Sequence, residues 1–267
     1  MKTLLINDTS DYHNGCKQVI KYIKQEYDIT DTIPTRTPCE NFNHSQYDRI
    51  ICNGEGSIHS PFKQPHARKL LGHLYFAQKA GCDTQIINAV IENVHKPIYL
   101  NTIKNCSKIE VREKRSQKFL QNKKIDSVVK PDLSYFVDVA RKEYENVDVY
   151  IGQWFDEAPG RDWFIKDFDW DNENYGRIDI FNDKWDDIVN RLRSAKLLIT
   201  GRHHEMYAAC VAECRFIATP GNTWKNEGLL SSAGVGIPYE PERILSGEFD
   251  EQYDRLWQYL RSFKKKK

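Results

Sequence analysis

Arg202, His203 and His204 stand side by side after a short apolar run, Leu197 to Thr200, and a glycine, Gly201; Lys225 follows one loop further on. A planar guanidinium and an ammonium are the usual means of holding phosphate or carboxylate, and an imidazole titrates near neutrality. Such a set suits an anionic ligand and proton transfer. The surrounding pattern is an apolar run, a tight turn, and helical spacing over Glu205 to Glu213 with Tyr207, Ala208, Val211 and Ala212 able to face a sheet. A second strand and a loop from Pro220 to Lys225 follow. A βαβ unit of this kind brings both loops to one edge of a parallel sheet, where helix amides and the helix dipole attract anions. An ordinary surface turn with ordinary cations fits the same spacing, which by itself does not separate the two readings.

Further candidates stand earlier in the chain. Lys2 to Asn7 reads as a strand, and the polar loop after it, carrying Asp8, Asp11 and His13, leads into an amphipathic helix from Cys16 to about Tyr27. Ile50 to Cys52 reads as a buried strand. The small-residue turn Asn53-Gly54-Glu55-Gly56-Ser57 follows, with glycines that let backbone amides approach a ligand, before a helix from about His66 to Ala80. It is neither a Walker sequence nor a three-glycine dinucleotide motif. Thr84 to Ile91 and Lys108 to Val111 read as further strands, the latter entering a helix whose first turn holds Arg112 and Ser116.

Metal chemistry is not expected. His59, His66 and His73 repeat every seven residues, but Pro61 and Pro65 oppose a continuous helix through them, so they read as exposed or partly packed imidazoles. Cys210 and Cys214 lack the second pair of a zinc site. The acidic, aromatic stretch from Trp154 to Tyr175 lacks the glycine and terminal glutamate of a calcium loop, and reads as an insertion with a surface aromatic patch.

The positioning elements belong to an α/β protein. The chain has 267 residues, 40% hydrophobic and 12% aromatic, enough for one large or two small α/β domains. A net charge of +1 leaves no bulk field to recruit nucleic acid, and the Lys264 to Lys267 run reads as a solvated tail with at most weak peripheral membrane contact. Seven cysteines without framework spacing point to reduced thiols. With neither a signal peptide's apolar core nor a bilayer-length apolar stretch, a cytoplasmic protein is expected. Periodicity loosens around Asp132 to Glu145, placing a boundary between domains 1–137 and 138–267. Beyond it, Val147 to Ile151 and Arg177 to Phe181 read as strands and Lys184 to Ser194 as a helix. Gly234 to Pro238 reads as a short strand or loop, and Asp250 to Phe263 as an amphipathic helix.

Taken together, these motifs resemble the polysaccharide pyruvyl transferase family. G-R-x-H after an apolar strand stands here as Gly201, Arg202 and His204, with Lys225 ending the later loop. A V-R-E-x-x-S step stands at Arg112 and Ser116, followed by Pro131-Asp132-Leu133, and the Gly-rich loop carries Glu55 where a glycine is more usual. The resemblance implies a GT-B-like fold, two Rossmann-like domains facing a central cleft, with the acceptor on the N-terminal side and the donor on the C-terminal side. It implies a transferase of polysaccharide biosynthesis that moves the pyruvyl group of phosphoenolpyruvate onto sugar hydroxyls of a glycan or glycolipid as a ketal, with no cofactor beyond that donor substrate. His204 is then the catalytic acid, with His203 its local competitor. Arg112, Arg202 and Lys225 become a donor clamp, and Asn222, Ser116, Gly54, Glu55, Gly56, Ser57, His13 and Asp8 further substrate contacts. Two other readings stand beside it. Glu205 and Glu213 have the E-x7-E spacing of some nucleotide-sugar glycosyltransferases, although Met206 and Cys214 occupy positions usually held by Gly and Ala. The third is a non-catalytic saccharide- or anion-binding module.

Overall fold

The computed structural model describes residues 1–153, 165, 168–220, 223–237 and 239–264. By packing, the chain forms two units, Met1–Asp11 with Ile20–Asp132 and Tyr12–Val19 with Leu133–Lys267. The division thus falls at Asp132/Leu133 rather than at 137/138, and residues 12–19 go with the second unit. Asp132 is ion-paired to Arg112 at 2.9 Å, which keeps it in the first unit, whereas Tyr135, just beyond, enters the second unit's core.

The first unit is a six-stranded parallel sheet in the order β2-β1-β3-β4-β5-β6, made of β1 (Thr3–Asp8), β2 (Asp31–Pro34), β3 (Arg49–His59), β4 (Asp83–Glu92), β5 (Lys108–Val111) and β6 (Val128–Val129). Central strands covered on both faces need continuous apolar runs, and Leu4, Leu5, Ile6, Ile50, Ile51, Ile86 and Ile87 supply them, all fully buried. The crossovers include α1 (Asn14–Glu26), α2 (Pro65–Lys79), α3 (Pro97–Lys104) and α4 (Lys114–Gln121). Proline opens α2 and α3, where its missing N–H is not needed.

The expected turn at Asn53–Ser57 is instead the continuation of β3, which stays paired with β4 as far as His59↔Glu92. Ile58, fully buried opposite Ile91, anchors that extension. The strand absorbs its irregularity in a register shift after Glu55, whose φ of 40° lies in the left-handed region. His73, expected to be at most partly packed, is buried on α2 and bonded to His44 across 3.0 Å.

The second unit is a four-stranded parallel sheet, β10-β9-β7-β8, from β7 (Val149–Ile151), β8 (Gly176–Arg177), β9 (Leu197–Thr200) and β10 (Arg215–Ala218). Its helices are α5 (Trp185–Ser194), α6 (His203–Ala212), α7 (Lys225–Ala233), α8 (Pro241–Leu245) and α9 (Asp250–Lys264). β8 is shorter than the strand expected over Arg177 to Phe181, because the chain turns at Asp179, whose carboxylate accepts from Phe181 N and Asn182 Nδ2. Residues 234–237 add no strand, and Pro238 lies outside the described residues. Most of the expected 154–175 insertion also lies outside them. Its described aromatics are not a surface patch: Trp170 is buried in the core, with Phe168 and Tyr175 stacked beside it at 5.4 Å. Lys264 is the last residue of α9, its Nζ 4.4 Å from the Tyr135 ring centre, rather than part of a free tail; residues 265–267 are outside the described set.

Candidate active site

β9 delivers Thr200 to the carboxyl edge of the second sheet, and the chain reverses there into α6. Arg202 is the N-cap of that helix, and His203, His204 and Glu205 are its first three residues. The turn is fixed by short-range bonds: Thr200 Oγ1 accepts from Arg202 N at 2.8 Å, and Gly201 N donates to Gln153 O at 2.9 Å. Backbone N–H groups of the helix start and a guanidinium therefore share one edge, the arrangement that binds anions. The Arg202 guanidinium lies over the Phe181 ring, 5.3 Å from its centre.

Both histidines are buried but held differently. His203 Nδ1 is 3.0 Å from Asn226 Oδ1, and its ring packs on Tyr207 with centroids 4.9 Å apart. His204 packs edge to face with His13, centroids 4.9 Å apart, and His13 meets Phe181 in the same way at 5.5 Å. Gly15 makes this approach possible, since a Cβ there would lie 2.4 Å from His204 Cβ. Asn14 secures the segment by donating through N to Ile180 O at 3.0 Å and through Nδ2 to Asp183 O at 2.7 Å.

Among the described residues, His13, Cys16 and His204 form a group whose metal-ligating atoms lie within 4.8 Å of one another. His13 Nδ1 accepts from Cys16 N at 3.3 Å, so the neutral ring carries its proton on Nε2, which faces Cys16 Sγ at 3.5 Å. The contact between the two side chains is thus a thiol–imidazole hydrogen bond.

Glu205 is fully buried, its Oε2 accepting from Gln153 N at 2.9 Å and Thr200 Oγ1 at 2.5 Å. Burial pushes its carboxyl up to about 7, against the opposing pull of Thr200, Gln153, Ile180 and Arg202. Glu213, the other half of the E-x7-E spacing, is not on the helix: it is the left-handed C-cap, φ 56°, and bonds Arg261 Nε at 2.7 Å. Lys225 opens α7 and is largely buried, directly before the Asn226 that holds His203. Asn222 lies outside the described residues.

In the first unit the remaining candidates lie toward the carboxyl edge of its sheet, mostly in an interlocked polar network. Arg112 is buried; its Nε donates to Asn88 O at 2.9 Å and Asn88 Oδ1 at 3.0 Å, and its Nη2 pairs with Asp132. Ser116 is fully buried and serves the start of α4, donating to Glu113 and accepting from Ile91 N at 2.9 Å. Glu55 accepts from Asn53 Nδ2 at 3.1 Å and Thr9 Oγ1 at 2.5 Å. Gly54 has a packing reason: a Cβ there would lie 2.4 Å from Ala89 Cβ and 2.9 Å from its Cα. Gly56 and Ser57 are half-buried in β3. Burial raises the Asp8 pKa, but bonds with Ser10 and Thr32 and the Lys24 charge outweigh it and hold the carboxylate below its usual range. Asn226, Gly15, Gly152 and Cys16 were not singled out as site residues in the sequence. Only Gly15, small and two residues after the loop histidine, carries a local signal.

Two parallel sheets with helical crossovers and a cation-rich strand-end turn define a GT-B-like pair of Rossmann-like units. Comparison with solved structures agrees on the fold. A putative UDP-N-acetylglucosamine 2-epimerase from Listeria monocytogenes is 10% identical, with 97% of this chain and 90% of that one covered at a TM-score of 0.59. The S. aureus MnaA-UDP co-structure is 11% identical over 96% and 91% of the two chains, at 0.58. The UDP-GlcNAc 2-epimerase from Methanocaldococcus jannaschii is 10% identical over 92% and 91%, at 0.54. No curated protein matches the sequence. The sequence pattern of the polysaccharide pyruvyl transferases matches residues 2–221, and the chain belongs to that family. Among the described residues, no helix is long and apolar enough to cross a membrane.

Proposed function

We propose that the protein transfers the pyruvyl group of phosphoenolpyruvate to two hydroxyls of a glycan or glycolipid precursor, releasing phosphate and leaving a cyclic ketal. The observation that carries this is the Thr200–His204 turn, which places Arg202, the amides at the start of α6 and two histidines on one sheet edge in a chain of this family.

In the proposed reaction Arg202 and Lys225 hold the donor's anionic groups. The His204 imidazolium gives its proton to the enol methylene, which becomes the methyl group, and C2 becomes electrophilic. One sugar hydroxyl adds to C2 and loses its proton. The C2–O bond to phosphate then breaks and the second hydroxyl closes the ketal; of the two hydroxyl protons one returns to the imidazole and the other leaves with the phosphate. An imidazole that gives one proton and recovers another can serve every turnover. No resident cofactor or metal enters the scheme. We place the reaction in the cytoplasm, where the seven cysteines, all free in the structure, would stay reduced.

The test is incubation of the purified protein with phosphoenolpyruvate and a panel of glycosides and lipid-linked sugars, following phosphate release and acceptor mass. Saturable donor binding and an acceptor mass gain corresponding to ketal formation support the reading; absence of donor binding by calorimetry sinks it.

A further inference from the structure

Glu205 follows His204 in the first turn of α6, and its side chain does not turn back to cap its own helix. It crosses to the ends of two strands. A carboxylate near a helix N-terminus gains from the dipole, yet withdrawing it from water is costly unless fixed donors replace the solvent. Here they come from the segments leaving β7 and β9: Gln153 N at 2.9 Å and Thr200 Oγ1 at 2.5 Å, both on Oε2. Gly152 makes room for that oxygen, since a Cβ at 152 would lie 2.0 Å from it.

We infer that Glu205 is a positioning residue: its carboxyl, seated against Gly152 and bonded to Gln153 and Thr200, holds the Thr200–His204 turn that presents Arg202, His203 and His204. The tie does not depend on one protonation state. When the carboxyl is ionised, Thr200 donates to it. When it is protonated, the carboxyl donates to Thr200 Oγ1, whose own proton turns to Gln153 O at 3.3 Å. In both arrangements Thr200 Oγ1 still accepts from Arg202 N. The facing groups fit this: Arg202 is the nearby cation, and Asp179 reaches the same cluster through Gln153 Nε2 at 2.8 Å. The consequence for the donor rests on the function proposed above; the hold on the turn does not.

The experiment compares Glu205→Ala, Glu205→Gln, Gly152→Ala and the double variant Gly152→Ala/Glu205→Ala with the wild-type chain. Two readouts are taken: hydrogen exchange of the amides of residues 201–204, and calorimetric titration with phosphoenolpyruvate. A glutamine keeps both bonds, its carbonyl oxygen standing in for Oε2 and accepting from Gln153 N and Thr200 Oγ1, so Glu205→Gln should retain wild-type protection. Glu205→Ala and Gly152→Ala should each speed exchange in the turn and weaken donor binding about tenfold, since small misplacements of oriented groups are costly. The double variant should be little worse than Glu205→Ala, because the added methyl then meets no carboxylate and only Thr200 Oγ1, at 2.9 Å, has to give way. Unchanged exchange in Glu205→Ala, or Glu205→Gln as damaging as Glu205→Ala, overturns the inference. A wild-type protein that binds no phosphoenolpyruvate removes the donor reading while the exchange measurements still decide the positioning role.

Discussion

Nδ1 of His203 lies 3.0 Å from Oδ1 of Asn226, and the amide is itself oriented because Asn226 Nδ2 donates to Thr219 O at 2.8 Å. With Oδ1 thus the acceptor, His203 carries its proton on Nδ1 and keeps Nε2 as the basic nitrogen. Asn226→Ala should shift the His203 tautomer balance, seen in long-range nitrogen–proton correlation spectra, and leave the His204 signals in place. Coincident changes in both rings would show that the two are not held independently.

The proton in the proposed reaction is assigned to His204, the family-matched position. His204→Gln should lose turnover by roughly two to four orders of magnitude while donor binding survives, as removal of a general acid does. His203→Gln should be milder. Single-turnover kinetics with a verified acceptor checks this, and a more severe His203 variant would move the assignment by one residue.

Arg202 presents a flat guanidinium stacked over Phe181. Arg202→Lys keeps the charge but loses both the fork and the stacking, so phosphoenolpyruvate affinity should fall about tenfold, about 1.4 kcal/mol. Wild-type affinity in a calorimetric titration would remove Arg202 from the donor site.

Arg112 and Asp132 are both buried and 2.9 Å apart. Arg112→Ala takes this cation from a buried carboxylate and should cost about 3–5 kcal/mol in denaturant unfolding, whereas Arg112→Met with Asp132→Leu should recover much of it. A single variant of unchanged stability that only loses donor affinity would make the arginine a ligand group instead.

The first unit should be acid-sensitive. His73 Nε2 donates to Thr37 O at 3.1 Å, so its Nδ1 is free to accept the proton of His44 Nε2 at 3.0 Å. Burial first, and the charge on His73 second, depress His44 from 6.5 to about 4, and burial lowers His73 as well. The unfolded chain therefore binds protons that the folded pair refuses. The stability of the neutral pair is intact above about pH 6.5 and is lost as pH falls toward 4. Unfolding free energies that stay flat from pH 7 to 4 in a His44→Gln/His73→Gln variant, against a slope in the parent, would bear this out; equal slopes would not.

The α/β class, most of the strands and the strand-end turn were legible in the sequence for a local reason. Buried parallel strands must be short continuous apolar runs, as at Leu197–Thr200 and Ile50–Cys52, and a glycine followed by helical spacing marks the turn where Arg202 and His204 stand. The G-R-x-H motif lies within a few residues of chain and needs no long-range partner to be recognised. Tertiary structure decided what each group does there, because the partners are brought in by register and crossover over separations that sequence spacing does not encode. His13 meets His204 because Gly15 lets the start of α1 approach α6, and Arg112 is neutralised by an aspartate at the end of the first unit. The Asn53–Ser57 segment looks like a turn by composition, yet it remains strand because its neighbour β4 is as long and Ile58 is drawn into the core. Glu205 and Glu213 are spaced alike for two roles in sequence. The helix ends at Ala212, so one carboxyl is buried under the turn and the other pairs with Arg261 at the opposite end of α6.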